Sequence, residues 1–202
     1  MTSYRLTAPQ HLDTIIELPA SKSISNRALI IYALSGGRTL PQNLSDCDDT
    51  EVIINALGYM PETIDIKAAG TAMRFMTAYL SVMRGTHILT GTERMRHRPI
   101  GVLVDALLKL GAEIEYAGEA GFPPLRITGK PLEGGMLEIL GNISSQYISA
   151  LLMIGPMLKK GLTLRLTGDI ISRPYIDLTL WMMREFGARA EWTAVDLSLI
   201  HI

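Results

Sequence analysis

The chain has 202 residues, of which 48% are hydrophobic, and its mean hydropathy of +0.22 excludes a globally disordered protein. Nineteen Lys and Arg residues balance 20 Asp and Glu residues, so the net charge of -1 excludes a whole-molecule field that would attract nucleic acid or an anionic membrane. The single cysteine, Cys47, excludes an internal disulfide framework, and with no signal peptide or membrane-spanning run the sequence predicts a cytoplasmic protein.

The first informative segment joins two apolar runs, TIIEL at 14–18 and ALIIYAL at 28–34. The first run predicts a strand and the second a helix. The residues between them include Lys22, Ser23 and Arg27. Hydroxyl groups, free backbone N–H groups and cations at a helix start are typical of a phosphate or carboxylate site, although an ordinary capped helix with two solvated cations remains the alternative.

The next two thirds of the chain repeat one pattern, which appears in residues 70–116 and again in 144–192. Each copy has a helix, a β-branched strand ending in Thr-Gly, an Arg-Pro link and a second helix ending in Gly-Ala, and equivalent positions lie about 73 to 77 residues apart. Residues 23–58 form a shorter copy, in which RTLPQN at 38–43 is the predicted strand. The pattern predicts an α/β fold of tandem βαβαββ units around shared helices, with units at about 15–66, 67–140 and 141–192.

The first helix of each copy opens with small, hydroxyl or cationic residues: Lys22-Ser23, Gly70-Thr71 and Ser144-Ser145. If the copies pack with rough threefold symmetry, three positive helix ends converge on one place. Gln146 continues the third group with an amide. This arrangement predicts a binding site for a polyanion.

Further cations follow the second helix start. Arg74 lies one turn along that helix, and Arg94 and Arg98 belong to the basic run ERMRHRP, which would otherwise be a solvated face. Pro99 favours an extended conformation at Arg98, from which its guanidinium can bind a carboxylate or phosphate. The four histidines lack metal-ligand spacing, so we expect no metal site, and the acids beside Cys47 predict a raised thiol pKa.

Five motifs occur in the order, and at close to the spacing, of one known family: SKSISNRAL, AGTAMR, LTGTERMRHRPIGVLVDAL, SSQYISALLM and ISRPYIDLTL. Over about residues 5–192 the chain therefore resembles the N-terminal half of the 5-enolpyruvylshikimate-3-phosphate synthases. The resemblance implies an inside-out barrel in which residues 1–202 form one incomplete domain, the second domain is absent, and residues 193–202 do not match the family. It also implies transfer of the enolpyruvyl group of phosphoenolpyruvate to the 5-hydroxyl of shikimate 3-phosphate, with release of phosphate, in aromatic amino-acid biosynthesis.

The resemblance implies a role for each candidate residue. Those implied for shikimate 3-phosphate are Ser23, Arg27, Ser144, Ser145, Gln146, Ser172 and Tyr175. Lys22 would lie between the two substrates as the catalytic candidate, and Gly70 and Arg98 would line the phosphoenolpyruvate site. The supporting residues would be Asp49, Thr71, Arg74 and Arg94. The resemblance implies small-molecule substrates, no cofactor, and a monomeric full-length enzyme that binds neither nucleic acid nor membrane.

Three departures from the family pattern are visible. Ala68 stands where the family usually has Asn, Phe75 stands where it often has Pro, and the half expected to carry the acid and base groups is missing. We therefore expect this chain to be truncated and inactive alone. Two alternatives remain open at this point, which are an enolpyruvyl transferase acting on UDP-N-acetylglucosamine and a non-catalytic anion- or RNA-binding module of related fold.

Overall fold

The computed structural model describes residues 3–5, 7–11, 13–37, 39–193 and 199–201. Within these ranges the chain forms helices alternating with short strands. The helices are α1 (Lys22–Ser35), α2 (Asp48–Tyr59), α3 (Gly70–Val82), α4 (Glu93–Arg96), α5 (Gly101–Lys109), α6 (Ser145–Ile154) and α7 (Arg173–Glu185). The strands are β1 (Thr63–Asp65), β2 (Gly85–Thr90), β3 (Glu113–Tyr116), β4 (Leu125–Gly129), β5 (Gly135–Leu140), β6 (Leu162–Thr167), β7 (Glu191–Trp192) and β8 (Leu199–His201).

The strands form two sheets of identical topology, with strand orders β1-β2-β4-β3 and β5-β6-β8-β7. In each sheet the first pair is parallel, as a connection through a helix requires, and the remaining pairs are antiparallel. The predicted α/β fold of tandem βαβαββ units is therefore confirmed. The first sheet draws its strands from residues 63–129 and the second from residues 135–201, while the unit boundaries predicted near 66/67 and 140/141 stay predictions.

The N-terminal copy lacks a sheet among the described residues. The strand predicted at 14–18 is wrong, since this segment has no regular structure and Ile15 and Leu18 are 93% and 84% exposed. The strand predicted at 38–43 is also wrong over its described residues, 39–43, while residue 38 lies outside them. A β-strand needs a neighbour to pair its backbone groups, and the described chain offers none to either segment.

Helix α3 lies at the centre of the core. All its residues from Gly70 to Ser81 are buried, and it packs against α1, α2, α6 and the first sheet. A helix that is buried on every side must be apolar or must satisfy its own polar groups, and two of the buried polar residues of α3, Thr77 and Ser81, donate their hydroxyls to backbone carbonyls one turn earlier. This packing fixes α1, α3 and α6 as one layer. Among the described helices, none is long and apolar enough to cross a membrane.

The end of β4 comes unusually close to the end of α3. A Cβ atom placed on Gly129 would lie 1.5 Å from the Met83 carbonyl oxygen and 2.3 Å from that of Leu80. Both neighbours are backbone atoms, so they cannot move aside as a side chain could. Gly129 therefore lets the sheet pack directly on the helix that holds the candidate site.

We expect Gly129→Ala to lower the free energy of unfolding by at least about 1 to 3 kcal/mol, the usual cost of overpacking. The matched control is Gly58→Ala in α2, where an added Cβ meets nothing within 4 Å and alanine should raise stability by about 0.5 to 1 kcal/mol. Urea unfolding followed by circular dichroism measures both. Equal stability of the two variants would contradict the close approach.

Candidate functional site

The N-terminal ends of α1, α3 and α6 lie together, as the repeat predicted. The Gln146 side-chain amide donates to the Thr71 hydroxyl at 3.3 Å, which joins the start of α6 to the start of α3. Lys22 at the start of α1 lines the same pocket as Ala68 and Ala69, which directly precede α3. Because each helix N-terminus carries a partial positive charge, this end of the helical layer favours an anion.

Lys22 is held by a carboxylate from another helix. Its Nζ lies 3.1 Å from Oδ1 of Asp49 in the first turn of α2, and the two side chains are 50% and 14% exposed. Asp49 therefore orients the ammonium group while leaving half of Lys22 open to the pocket. This pocket has a volume of about 650 Å³ and is lined by the first turn of α2, by the residues before α3 and by Lys22.

Cys47 lies at the start of α2 and lines the same pocket. Burial raises the pKa of its thiol, but hydrogen bonds from Ser45 and Thr50 and from the backbone of Thr50 and Asp49 outweigh this effect, so the pKa is lowered. The predicted rise from the neighbouring acids is therefore wrong. Hydrogen bonds to the sulfur favour the thiolate and so lower its pKa.

The start of α3 has no side-chain cap. Its N-cap residue, Ala69, has no side chain that could bond the first-turn N–H groups, and no side-chain cap is present. The Arg98 guanidinium lies directly against this helix end, since a Cβ on Gly70 would be 2.4 Å from its Nη1. Gly70 and Arg98, which were both predicted to line one subsite, lie side by side, and the guanidinium occupies space that a Cβ atom on residue 70 would need.

Arg98 and Arg94 line a neighbouring pocket of about 410 Å³ together with Ala68, Thr92 and Met95. Both arginines are exposed, and within the described residues neither takes part in an ion pair. Two guanidinium groups beside an uncapped helix end leave positive charge without a protein counterion. A ligand carrying phosphate or carboxylate groups supplies the missing charge.

Arg74 is buried beneath this subsite, with 5% of its surface exposed. Its Nη1 donates to the Gly70 carbonyl at 2.9 Å and its Nη2 to the Pro99 carbonyl at 3.4 Å, while its Nε has no partner among the described atoms. Burial is the main reason that the pKa of Arg74 is lowered. Arg74 therefore ties the residue after Arg98 to the first residue of α3, a supporting rather than a ligand-facing position.

Arg27 is also buried, with 2% of its surface exposed, so its description as a solvated cation is wrong. Its guanidinium donates to the Thr179 hydroxyl at 2.7 Å, the Ser23 carbonyl at 2.9 Å and the Ser149 hydroxyl at 2.9 Å. Burial lowers its pKa to about 10, against a smaller opposite effect of Tyr175. Three of its five N–H groups make these hydrogen bonds.

The remaining predicted residues lie on α6 and at the start of α7. Ser144 caps α6 by accepting from the Gln146 N–H at 3.3 Å, and Ser145 begins that helix. The exposed Tyr175 ring lies 5.8 Å from the Arg27 guanidinium carbon. Ser172 adopts a left-handed conformation with φ of 55°, which costs a non-glycine residue roughly 1 to 3 kcal/mol. No described side-chain hydrogen bond connects Ser172 to the other candidates.

The residues that hold Arg27 in place were not predicted from the sequence. Ser149 and Thr179 are fully buried hydroxyl residues on apolar helix faces, and they also bond each other at 2.9 Å. The Phe75 ring centroid lies 5.4 Å from the guanidinium carbon, so the substitution for Pro adds a contact to Arg27 while α3 stays continuous. A polar residue on an otherwise apolar helix face was the available signal. The described residues contain no cluster of potential metal ligands.

Comparisons with known proteins identify the family of this chain. The family model of EPSP synthase (3-phosphoshikimate 1-carboxyvinyltransferase) matches residues 6–65 and 59–199, and so includes most of the segment predicted to lie outside the family pattern. A 3-phosphoshikimate 1-carboxyvinyltransferase of Bacteroides fragilis is 65% identical over 191 residues, which are 95% of this chain and 47% of the relative. One of Shewanella halifaxensis is 40% identical over 95% of this chain and 51% of its own length.

A structural comparison gives the same fold. The EPSP synthase from Acinetobacter baumannii superposes with a TM-score of 0.79 at 23% identity, over 93% of this chain and 46% of that structure. The chain thus spans about half the length of the relatives it matches. With the family model matching nearly all of the chain and relatives matching it at up to 65% identity, the chain belongs to the EPSP synthase (3-phosphoshikimate 1-carboxyvinyltransferase) family.

Proposed function

We propose that this chain provides one wall of the active site of an enzyme that transfers the enolpyruvyl group of phosphoenolpyruvate to the 5-hydroxyl of shikimate 3-phosphate, releasing phosphate. The observation that carries the proposal is the Arg98 guanidinium lying against the uncapped start of α3, beside Lys22. Two anionic substrates repel each other, and they can react only where fixed cations and helix ends offset that repulsion. The names of the relatives supply the reaction.

The two substrates are assigned to adjacent parts of the site. Phosphoenolpyruvate lies against Gly70, Arg98 and Arg94, where positive charge has no counterion. Shikimate 3-phosphate lies across the starts of α1, α6 and α7, where the contacts are Ser23, Arg27, Ser144, Ser145, Gln146, Ser172 and Tyr175. Lys22 lies between them, and Asp49 keeps its ammonium in place. No cofactor is needed, since the leaving group is already present on phosphoenolpyruvate.

Proton transfer is assigned to groups outside this chain, because the site residues described above are mainly cations, hydroxyls and backbone N–H groups. General acid and base catalysis requires positioned titrating groups, and closure of a second wall must exclude water. We propose that the other half of a full-length, monomeric, cytoplasmic enzyme supplies both.

The first prediction of this proposal is that the 202-residue chain binds shikimate 3-phosphate but shows no turnover. Calorimetry measures the binding, which should weaken as salt rises because exposed charges are screened within about 8 to 10 Å at ordinary ionic strength. Phosphate release from the two substrates should remain at background. Steady turnover would refute the assignment of proton transfer, whereas binding of UDP-N-acetylglucosamine or RNA in place of shikimate 3-phosphate would support one of the alternative functions.

A second prediction concerns Lys22. Lys22→Ala should weaken binding of both substrates at least about tenfold, since a hydrogen bond to a charged group contributes about 1.5 to 3 kcal/mol. The control is Lys160→Ala, an exposed lysine that follows the opposite end of α6. Calorimetry on the purified variants gives both affinities. An equal change in the two variants would show that only net charge matters.

A third prediction concerns Gly70 and uses a chimera, in which this chain is followed by the part of the Bacteroides fragilis relative beyond the match. Gly70→Ala forces the Arg98 guanidinium away from the helix start, where it would otherwise be 2.4 Å from the new methyl group. The KM for phosphoenolpyruvate should rise, and inhibition by glyphosate, which is expected to occupy the same subsite and to reach further, should weaken by a larger factor.

The helix itself should survive Gly70→Ala, because alanine is the better helix former. Circular dichroism of the variant checks this point. Steady-state kinetics of both chimeras give the KM and the inhibition constant. If both constants stay unchanged, Gly70 does not line the phosphoenolpyruvate subsite, and the role of Arg98 in that subsite is wrong too.

A further inference from the structure

Two consecutive residues of α6 reach across to the start of α3 and the residue after Arg98. The Gln146 side chain bonds Thr71, as described above, and the next residue, Tyr147, donates its hydroxyl to the Pro99 carbonyl at 2.7 Å. Tyr147 is 8% exposed while Pro99 is exposed, so this hydrogen bond is partly buried. The contact joins the helix assigned to shikimate 3-phosphate to the loop that carries the arginine assigned to phosphoenolpyruvate.

The Pro99 carbonyl accepts the hydrogen bonds that hold the Arg98-Pro99 segment in place. It accepts from Tyr147 at 2.7 Å and from Nη2 of Arg74 at the longer distance of 3.4 Å. The Arg74 guanidinium carbon also lies 5.7 Å from the Tyr147 ring centroid. Tyr147 therefore contacts Arg74 through its ring and Pro99 through its hydroxyl. The stronger of the two hydrogen bonds, by distance, is the one from Tyr147.

The position of Arg98 depends on the hydrogen bonds to the Pro99 carbonyl, because Arg98 itself makes few contacts that would hold it. Its backbone N–H donates to the Met95 carbonyl at 3.0 Å, but the described residues offer no hydrogen bond to its guanidinium, which is exposed. A long side chain that makes no hydrogen bond of its own loses its position when its backbone shifts. The carbonyls of Pro99, the next residue, and of Gly70 both accept hydrogen bonds from Arg74.

We propose that Tyr147 is a positioning residue, whose hydroxyl fixes the Arg98-Pro99 segment so that the guanidinium lies over Gly70. Through this bond the geometry of the phosphoenolpyruvate subsite depends on where the start of α6 lies. This inference rests on the proposed function for the identity of the two ligands. The geometric part, that the Tyr147 hydroxyl sets the position of Arg98, does not.

The test compares Tyr147→Phe with the wild-type chain. Phenylalanine keeps the ring beside Arg74 and removes only the hydroxyl. The control is Tyr79→Phe, which removes the hydroxyl of another buried tyrosine, on α3 but nine residues from Gly70 and so about 13 Å along the helix. Nuclear magnetic resonance titrations follow phosphoenolpyruvate at the Gly70 and Arg98 amides, and shikimate 3-phosphate at the Gln146 amide.

Tyr147→Phe should raise the dissociation constant of phosphoenolpyruvate about threefold to tenfold, as expected for one lost buried hydrogen bond. The dissociation constant of shikimate 3-phosphate should change less than about twofold, and Tyr79→Phe should change neither. A general loss of structure would lower both affinities together and would overturn the inference. An unchanged affinity for phosphoenolpyruvate would also overturn it.

A measurement without ligand separates this inference from the proposed function. The Arg98 side-chain Nε–H signal and the Gly70 amide signal should move in Tyr147→Phe and stay in place in Tyr79→Phe. If the wild-type chain binds neither ligand, the proposed function fails, and these signals then decide the positioning role alone. Signals that stay in place in Tyr147→Phe would refute that role.

Discussion

The packing of α1, α3 and α6 against one another brings their positive ends together, and the candidate side chains at these three helix starts depend on it. Lys22, Arg94 and Arg98 add full charges near these helix ends. Bringing these charges together is unfavourable, and the burial of α3 on all sides provides the apolar free energy that holds the helices in place nonetheless. An anionic ligand lowers the repulsion, so binding should also stabilise the fold.

Arg27 joins the separate copies of the repeat into one site. Its hydrogen bonds run to Ser149 on α6 and Thr179 on α7, and its planar face lies near Phe75 on α3. No described carboxylate pairs with it, so its burial costs free energy that three hydrogen bonds only partly return. A bound phosphate would offset the free-energy cost of burying the Arg27 charge.

The three helix starts offer different chemistry in spite of the shared repeat. Ser21 and Ser144 cap α1 and α6, so the first-turn N–H groups there are partly used by the protein itself. Ala69 leaves α3 without a side-chain cap. The backbone N–H groups of α3 therefore suit a small anion held closely, whereas the hydroxyl and amide side chains of the other starts suit a larger hydroxylated ligand.

The sequence by itself determined the repeated unit, the helices and the residue types of the site, because helical periodicity, Gly and Pro positions and helix starts are local properties. The strands predicted from the sequence at 14–18 and 39–43 do not form, because a strand exists only where a distant segment pairs with it. Only the tertiary structure decided that Arg27 is buried, that Arg98 lies on Gly70 and that Tyr147 holds Pro99. These contacts join residues far apart in the chain, and their energies depend on burial, which no local pattern records.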